Sequence, residues 1–254
     1  MSFHIEDDGY WHRSPDMHRL VRTDDHDVLS VHENYMGGKS VLREVAETIV
    51  LTLLIFFVVR AVVQNFKVEG ESMMPTLHSE QYILVNKALY IRYDANFLDR
   101  LFTKDIPPKM QYLFHGPQRG DIIVFQAPRE PKDFIKRVIA VEGEMIEVKP
   151  DPNPMGPPGH DCGGCGVFVN GVKLEEPYIK ENPDYTVEAT KVPDGYIYVL
   201  GDNRNNSSDS HIWQALSVDS IIGTAFVSYW GPDDPEKYIG FLPHPTYAEI
   251  KKQP

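Results

Sequence analysis

Cysteine is nearly absent from this 254-residue chain: only Cys162 and Cys165 occur, close together in the glycine-rich stretch DCGGC. Two thiolates cannot close a four-ligand zinc site, and His160 beside them adds at most a third ligand, so a closed structural zinc site is excluded. The pair reads as a small disulfide, half of a metal site or two idle thiols. Positive charge is scarce as well, with 25 Lys and Arg against 37 Asp and Glu for a formal net charge of -12. No lysine-arginine cluster offsets that balance, which argues against nucleic acid as a partner and against a binder of anionic lipid surfaces. Internal repeats are lacking, and only one apolar run reaches bilayer length.

What is present is enough hydrophobic residue, 42% of the chain, to build one sizeable domain. Residues 1–43 are polar, rich in aspartate and histidine up to Gly38, and without helical or strand periodicity, so a mobile tail is expected. From Val45 to Phe66 the run VAETIVLTLLIFFVVRAVVQNF has the length needed to span a bilayer. Glu47 and Arg60 lie near its ends, from which long side chains snorkel. The expectation is a transmembrane helix over residues 44–66. A cleaved signal peptide is disfavoured, because a long polar tail precedes the run and no small-x-small pattern follows it. Lys39 and Arg43 precede the span, and Glu69 and Glu71 follow it with a single Lys67. Positive-inside bias therefore puts the tail in the cytosol and everything after Phe66 on the far side of a cell membrane crossed once.

Beyond the span the pattern becomes short β-branched and aromatic runs bounded by Gly, Pro, Asn and Asp: QYILVNKALY, DIIVFQA, FIKRVIAVEGEMIEV, VFVNGVKL, GYIYVLGDN and IIGTAFVSYW. That is an all-β domain over 67–249, followed by a short tail at 250–254. Asn170-Gly171 signals a type I′ hairpin, and Gly143-Glu144 a second one. Irregular insertions are expected near 94–118 and 150–166.

Ser72 stands in GESMMPTL six positions after the apolar run, where the chain would leave a membrane. Pro75 and Thr76 stiffen the backbone behind it, which suits a hydroxyl held in one geometry and equally suits an ordinary turn serine. A serine needs a proton acceptor before it becomes a nucleophile. His78, His115, His160, His211 and His244 have loop-like settings with no acid at a telling spacing, although triad members need not be close in sequence. Lys136 is the other candidate. In DFIKRVIAV, strand alternation puts Phe134, Lys136, Val138 and Ala140 on one face, where desolvation would depress the amine's pKa, unless the lysine snorkels at an edge and stays charged. A third polar cluster, GDNRNNSSDSHIW, follows the strand IYVL and reads as a rigid loop or as a brace for a catalytic lysine.

GESMMPTL, RGDIIVF, FIKRVIAVEGE and GDNRNNSSDS, in this order after a membrane span, resemble the bacterial type I signal peptidases, the membrane-anchored Ser-Lys leader peptidases. The resemblance runs from the anchor to about Trp230. It implies a membrane-anchored β-domain of partly open, barrel-like sheets preceded by one transmembrane helix. It implies a serine endopeptidase that removes signal peptides from exported preproteins after small residues, with Ser72 as nucleophile, Lys136 as general base, and no metal or organic cofactor. Ser207 would hydrogen-bond the lysine and Asp209 would brace its loop. Phe66, Val68, Met73, Leu77, Phe134 and Ile135 would line the substrate cleft, with Met73 and Met74 also dipping into membrane lipid. An extracytoplasmic location would favour a Cys162–Cys165 disulfide.

Two departures stand out. Gly70 occupies the place where some relatives carry a serine that donates to the oxyanion, so the second donor after the Ser72 N–H would be another backbone group or water. His211 stands where an arginine commonly follows the last serine, which would leave Asp209 without a guanidinium and make the loop a candidate for acid sensitivity. A Ser-Lys protease of pilus or conjugation processing, or an inactive membrane-tethered preprotein-binding β-domain, are the rival readings.

Overall fold

The computed structural model describes residues 10–13, 20–23, 38–103, 106–151, 164–231 and 239–247. The chain divides into two compact units, Met1–Val58 and Val59–Pro254. In the first, β1 (Tyr10–Arg13) and β2 (Leu20–Thr23) pair antiparallel inside the segment expected to lack strands. Runs of four residues are too short to register as alternation. Helix α1 (Gly38–Val62) follows, and its apolar stretch Val41–Val62, with mean hydropathy 2.3, is long enough to cross a membrane and is not buried.

The expected helix end at Phe66 is corrected: α1 stops at Val62, and Val63–Lys67 is a strand, β3, paired with β4 (Tyr82–Asn86). Gln64 and Asn65 carry no strong strand signal, and an apolar run cannot by itself distinguish helix from strand. Tertiary pairing decides, with Val63 opposite Asn86 and Lys67 opposite Tyr82.

The second unit is built on an eight-stranded antiparallel sheet. Its order is β14 (Leu216–Ser217), β13 (Tyr196–Leu200), β8 (Asp133–Val141), β7 (Ile122–Gln126), β15 (Ile221–Trp230), β4 and β3, with β16 (Gly240–Phe241) also on β15. Register shifts in β15 and between β8 and β13 mark bulges, which bend a sheet and help it curl. A second sheet of four strands, β11 (Val172–Lys173), β10 (Cys165–Val169), β9 (Met145–Pro150) and β12 (Val187–Lys191), closes over the far half of β8. Ile139, Ile146, Val148, Val167 and Leu200 form the core there.

The two hairpins form. Asn170 and Gly171 both have positive φ, 51° and 79°, as a type I′ turn requires, and Gly143 turns β8 into β9 with φ 80°. The insertion near 94–118 holds a small sheet of β5 (Arg92–Asp94) and β6 (Met110–Tyr112) and a short helix α2 (Phe97–Phe102). His160, Cys162 and most of the 150–166 insertion lie outside the described residues, as do residues 250–254. Cys165 is disulfide-bonded.

Candidate active site

The first half of strand β8 runs past the end of its neighbour β13. Its residues Asp133 to Arg137 pair with β7, but β13 covers β8 only from Arg137 onward, so one backbone edge of 133–136 is unpaired by the sheet. Strand β3 is an end strand of the sheet and pairs only with β4. The sheet curls until both face one cleft of about 470 Å³, walled by Phe66, Lys67 and Val68 on one side and Lys132 to Ile135 on the other, with Ser72 and Lys136 in its lining. Gly70, Asn206 and Ser208 complete the rim.

Lys136 Nζ lies 2.7 Å from Ser72 Oγ and donates to the Ile135 carbonyl at 2.9 Å. The residue is only 4% exposed. Desolvation brings its pKa down from 10.5 to about 8, against the opposing pull of the Asp209 and Asp202 carboxylates. At pH 7 about one molecule in ten then carries a neutral amine, roughly 300-fold more than at the ordinary value. The Phe134 ring stands 5.2 Å from Nζ.

The nucleophile loop is fastened from three directions. Asn203 N donates to Ser72 O at 3.0 Å and Asn203 Nδ2 to Glu71 O at 3.1 Å. Thr76 Oγ1 donates to Asp202 Oδ2 at 2.5 Å. Below, Met73 and Leu77 are sealed into a core with Val68, Ile83, Ile122 and Val124. Met74–Pro75 is cis, and the Gly70 backbone has φ 84°. The Ser72 N–H meets no backbone acceptor among the described residues.

Asp202 is the hinge of this arrangement. Fully buried, it accepts both prongs of the equally buried Arg137, at 2.8 and 2.7 Å, besides the Thr76 hydroxyl. Arg137 Nη1 donates to Gly120 O and Pro243 O, Nη2 also reaches Thr76 Oγ1 at 3.4 Å, and the guanidinium lies over the Tyr178 ring at 4.0 Å. The strand carrying Lys136 and the loop carrying Ser72 are thus tied through one carboxylate. Arg204, also buried, holds Gly201 O at 3.0 Å and is clamped bidentately by Glu176 at 2.7 and 2.6 Å. Gly201 is required by packing, because a Cβ there would stand 2.3 Å from Ser207 Oγ and 2.4 Å from Ser72 O.

Several expected residues sit differently. Met73 and Leu77 are each 1% exposed and lie under the cleft floor, not on its wall, so Met73 does not reach lipid. The curl of the sheet turns the loop after Ser72 inward, which brings its apolar side chains into the core. Phe66, Val68, Phe134 and Ile135 do line the cleft. Ser207 Oγ is buried without a hydrogen-bond partner among the described residues, and the expected bond to Lys136 is not made. The lysine's contacts go instead to Ser72 and Ile135. Asp209 is buried and accepts from Gly201 N, His211 N and the His211 ring at 2.9, 3.2 and 2.7 Å, so His211 occupies the partner position left by the missing arginine. The ring also stacks on Tyr185 at 4.0 Å.

In the sequence, Arg137, Asp202, Asn203 and Arg204 have no individual role in the site, and Thr76 has only that of stiffening the backbone behind Ser72. Arginine beside Lys136 in an apolar strand was the available signal, since a buried guanidinium demands a buried carboxylate.

A serine in contact with a desolvated lysine, in a cleft lined by two free strand edges, defines the class of Ser-Lys hydrolases that act on extended peptides. The model of the family described as "Signal peptidase, peptidase S26" matches residues 42–230. The chain is similar to "Signal peptidase I" of Leptolyngbya laminosa, 37% identical over 218 residues, covering 82% of this chain and 88% of that relative. It is similar to "Probable signal peptidase I-1" of Synechocystis sp., 36% identical, with coverage of 72% and 80%. "Signal peptidase I" of Bacillus caldolyticus is 34% identical, with coverage of 73% and 87%. The chain belongs to the signal peptidase family, peptidase S26.

Proposed function

We propose that this chain is a membrane-associated serine endopeptidase that removes N-terminal signal peptides from preproteins, with Ser72 as nucleophile and Lys136 as general base. The family and its signal peptidase I relatives support the reaction. The observation that carries the residue roles is the 2.7 Å contact between Lys136 Nζ and Ser72 Oγ at the cleft floor.

With the amine neutral, its lone pair accepts the Ser72 proton as Oγ attacks the scissile carbonyl carbon. The resulting oxyanion is met by the unengaged Ser72 N–H. Lys136, now an ammonium, returns that proton to the leaving amine as the C–N bond breaks, and releases the mature protein's N-terminus. A water molecule then gives a proton to the neutral lysine as it attacks the acyl carbon, and the lysine ammonium passes that proton to Ser72 Oγ as the ester C–O bond breaks, which frees the signal peptide and restores both residues.

The substrate enters as an extended strand between the free edges of β3 and residues 133–136, with main-chain hydrogen bonds giving affinity. Shallow pockets beside Phe66, Val68, Phe134 and Ile135 favour small side chains before the cut. Topology follows from the charge bias around α1: N-terminus cytoplasmic, cleft on the far side of the cell membrane. A pilus-processing protease or an inactive binding domain is not favoured, given relatives named signal peptidase I over most of the chain.

The test is incubation of detergent-solubilised full-length protein with a preprotein bearing an Ala-x-Ala site, followed by sequencing of the new N-terminus. Cleavage after the second alanine, lost in both Ser72→Ala and Lys136→Ala, is expected. Undiminished cleavage by the lysine variant rules out the dyad.

A further inference from the structure

Residues 239–247 form a strap that lines no part of the cleft yet bears on both buried arginines behind it. The strap begins as β16, with Gly240 opposite Ser228 and Phe241 opposite Val227, and Leu242 N donates to Phe226 O at 2.9 Å. The Leu242 side chain packs against the cluster that holds Met73 and Leu77 under the cleft floor. The family match ends at residue 230, so membership gives this strap no part in the site.

Pro243 contributes a backbone oxygen. An arginine has five N–H hydrogens, and because Arg137 has no exposed surface each needs an acceptor inside the protein. Nε and Nη2 donate to Asp202, Nη2 also to Thr76 Oγ1, and Nη1 to Gly120 O at 2.9 Å and Pro243 O at 3.2 Å. The strap thus completes the acceptor set of the guanidinium that ties the lysine strand to the serine loop.

Tyr247 contributes a hydroxyl. It lies 2.7 Å from the Tyr178 hydroxyl, which gives its own proton to Glu176 Oε1 at 2.8 Å, so Tyr247 is the donor of that pair. Glu176 clamps Arg204, which in turn holds Gly201 O, and the Tyr178 ring lies against the Arg137 guanidinium. Tyr178 therefore touches both buried ion pairs, and Tyr247 fixes where its hydroxyl points. The Arg119 guanidinium, 5.9 Å over the Tyr247 ring, holds the strap's far end.

We propose that Tyr247 and the Pro243 carbonyl are positioning groups for the reaction: the strap sets the two arginine pairs, and through them the approach of Lys136 to Ser72. The proposal rests on Ser72 and Lys136 being the catalytic pair. Neither strap group touches substrate, so loosening the strap lowers the fraction of time the pair is in register and leaves substrate binding alone.

The experiment is steady-state cleavage of a signal-peptide substrate by the detergent-solubilised full-length protein, well below its melting temperature. Tyr247→Phe keeps the ring under Arg119 and deletes the hydroxyl. It is expected to lower kcat by about threefold or more with KM within about twofold. Tyr178→Phe is expected to lower kcat at least as far, and Tyr178→Phe/Tyr247→Phe no further than Tyr178→Phe, because both hydroxyls serve one link. Val148→Ala, in the core under the second sheet, is the control for stability alone and is expected to lower the melting temperature with kcat unchanged. The proposal is overturned by a Tyr247→Phe variant with the parent's kcat, by a rise in KM in place of the fall in kcat, by losses that multiply in the double variant, or by an equal kcat loss in Val148→Ala. If Tyr178→Phe does not fold, the split between kcat and KM in Tyr247→Phe decides by itself. Absence of cleavage by the unsubstituted protein, or cleavage that survives Ser72→Ala, strikes the proposed function itself and this proposal with it.

Discussion

Asp202 ties the lysine strand to the serine loop, and Asp202→Asn isolates that role because it keeps the side chain's shape while deleting its charge. Arg137, with no exposed surface, would then face a neutral amide that offers one acceptor in place of two. Removing one partner of a buried pair costs about 3–5 kcal/mol, and the retained carbonyl puts this case near 3 kcal/mol. For a domain of this size that lowers the melting temperature by about 6–12 °C. Function should suffer beyond stability, because Thr76 loses its 2.5 Å acceptor and the neighbouring Asn203 holds the Ser72 carbonyl. A misplacement of about 1 Å can cost 10²-fold in rate, so a kcat loss of tenfold or more is expected well below the melting point. Asp202 also raises the Lys136 pKa, so the acid limb of the rate profile should move to lower pH in the variant. The assay is thermal denaturation followed by Trp213 and Trp230 fluorescence, with peptide cleavage measured in the same detergent. The double variant Arg137→Met/Asp202→Leu should melt above Asp202→Asn, since a buried charge without a partner is worse than none. Unchanged melting and rate in Asp202→Asn would refute the reasoning.

Other outcomes follow from the same geometry. Lys136→Met should abolish cleavage yet raise stability at pH 7 by about 2 kcal/mol, visible as a higher melting temperature, because a desolvated amine is removed. In the parent, the folded pKa of Lys136 lies below its unfolded value, so this group's destabilisation is full below about pH 8 and fades as pH rises toward 10.5. Gly201→Ala should cost about 1–3 kcal/mol from overpacking and disproportionately more in kcat, since the added methyl meets Ser207 and the Ser72 carbonyl. His211→Ala should cost about 1–2 kcal/mol by removing a donor to buried Asp209, while His211→Arg restores a partner and most of that stability in the same melting assay.

All six apolar runs read from the sequence form strands, because burial on at least one face leaves a β-branched pattern. Strand β12, VEATK, was invisible for the opposite reason: none of it is fully buried, and Glu188, Ala189 and Lys191 are residue types depleted in strands. Strand β3 was hidden in the tail of the long apolar run, where only its pairing partner could reveal it. Ser72 and Lys136 stand out in the sequence by their position after the apolar run and by strand alternation, whereas Phe66, Val68, Phe134 and Ile135 were expected at the cleft only through the family resemblance. The depth of Met73 and Leu77 depends on how far the sheet curls, which no local pattern encodes. The Asp202–Arg137 and Arg204–Glu176 pairs join residues 65 and 28 positions apart, so they became visible only when the chain was folded.

The most direct test of the account is the pH dependence of kcat/KM for a signal-peptide substrate, with Lys136 ionisation followed in parallel by the NMR shift of its εCH2 in the full-length protein. Both midpoints are expected near pH 8, with the rate rising as the amine loses its proton. A lysine that titrates near 10.5 while the rate is already maximal at pH 7 would contradict the assignment of Lys136 as the base.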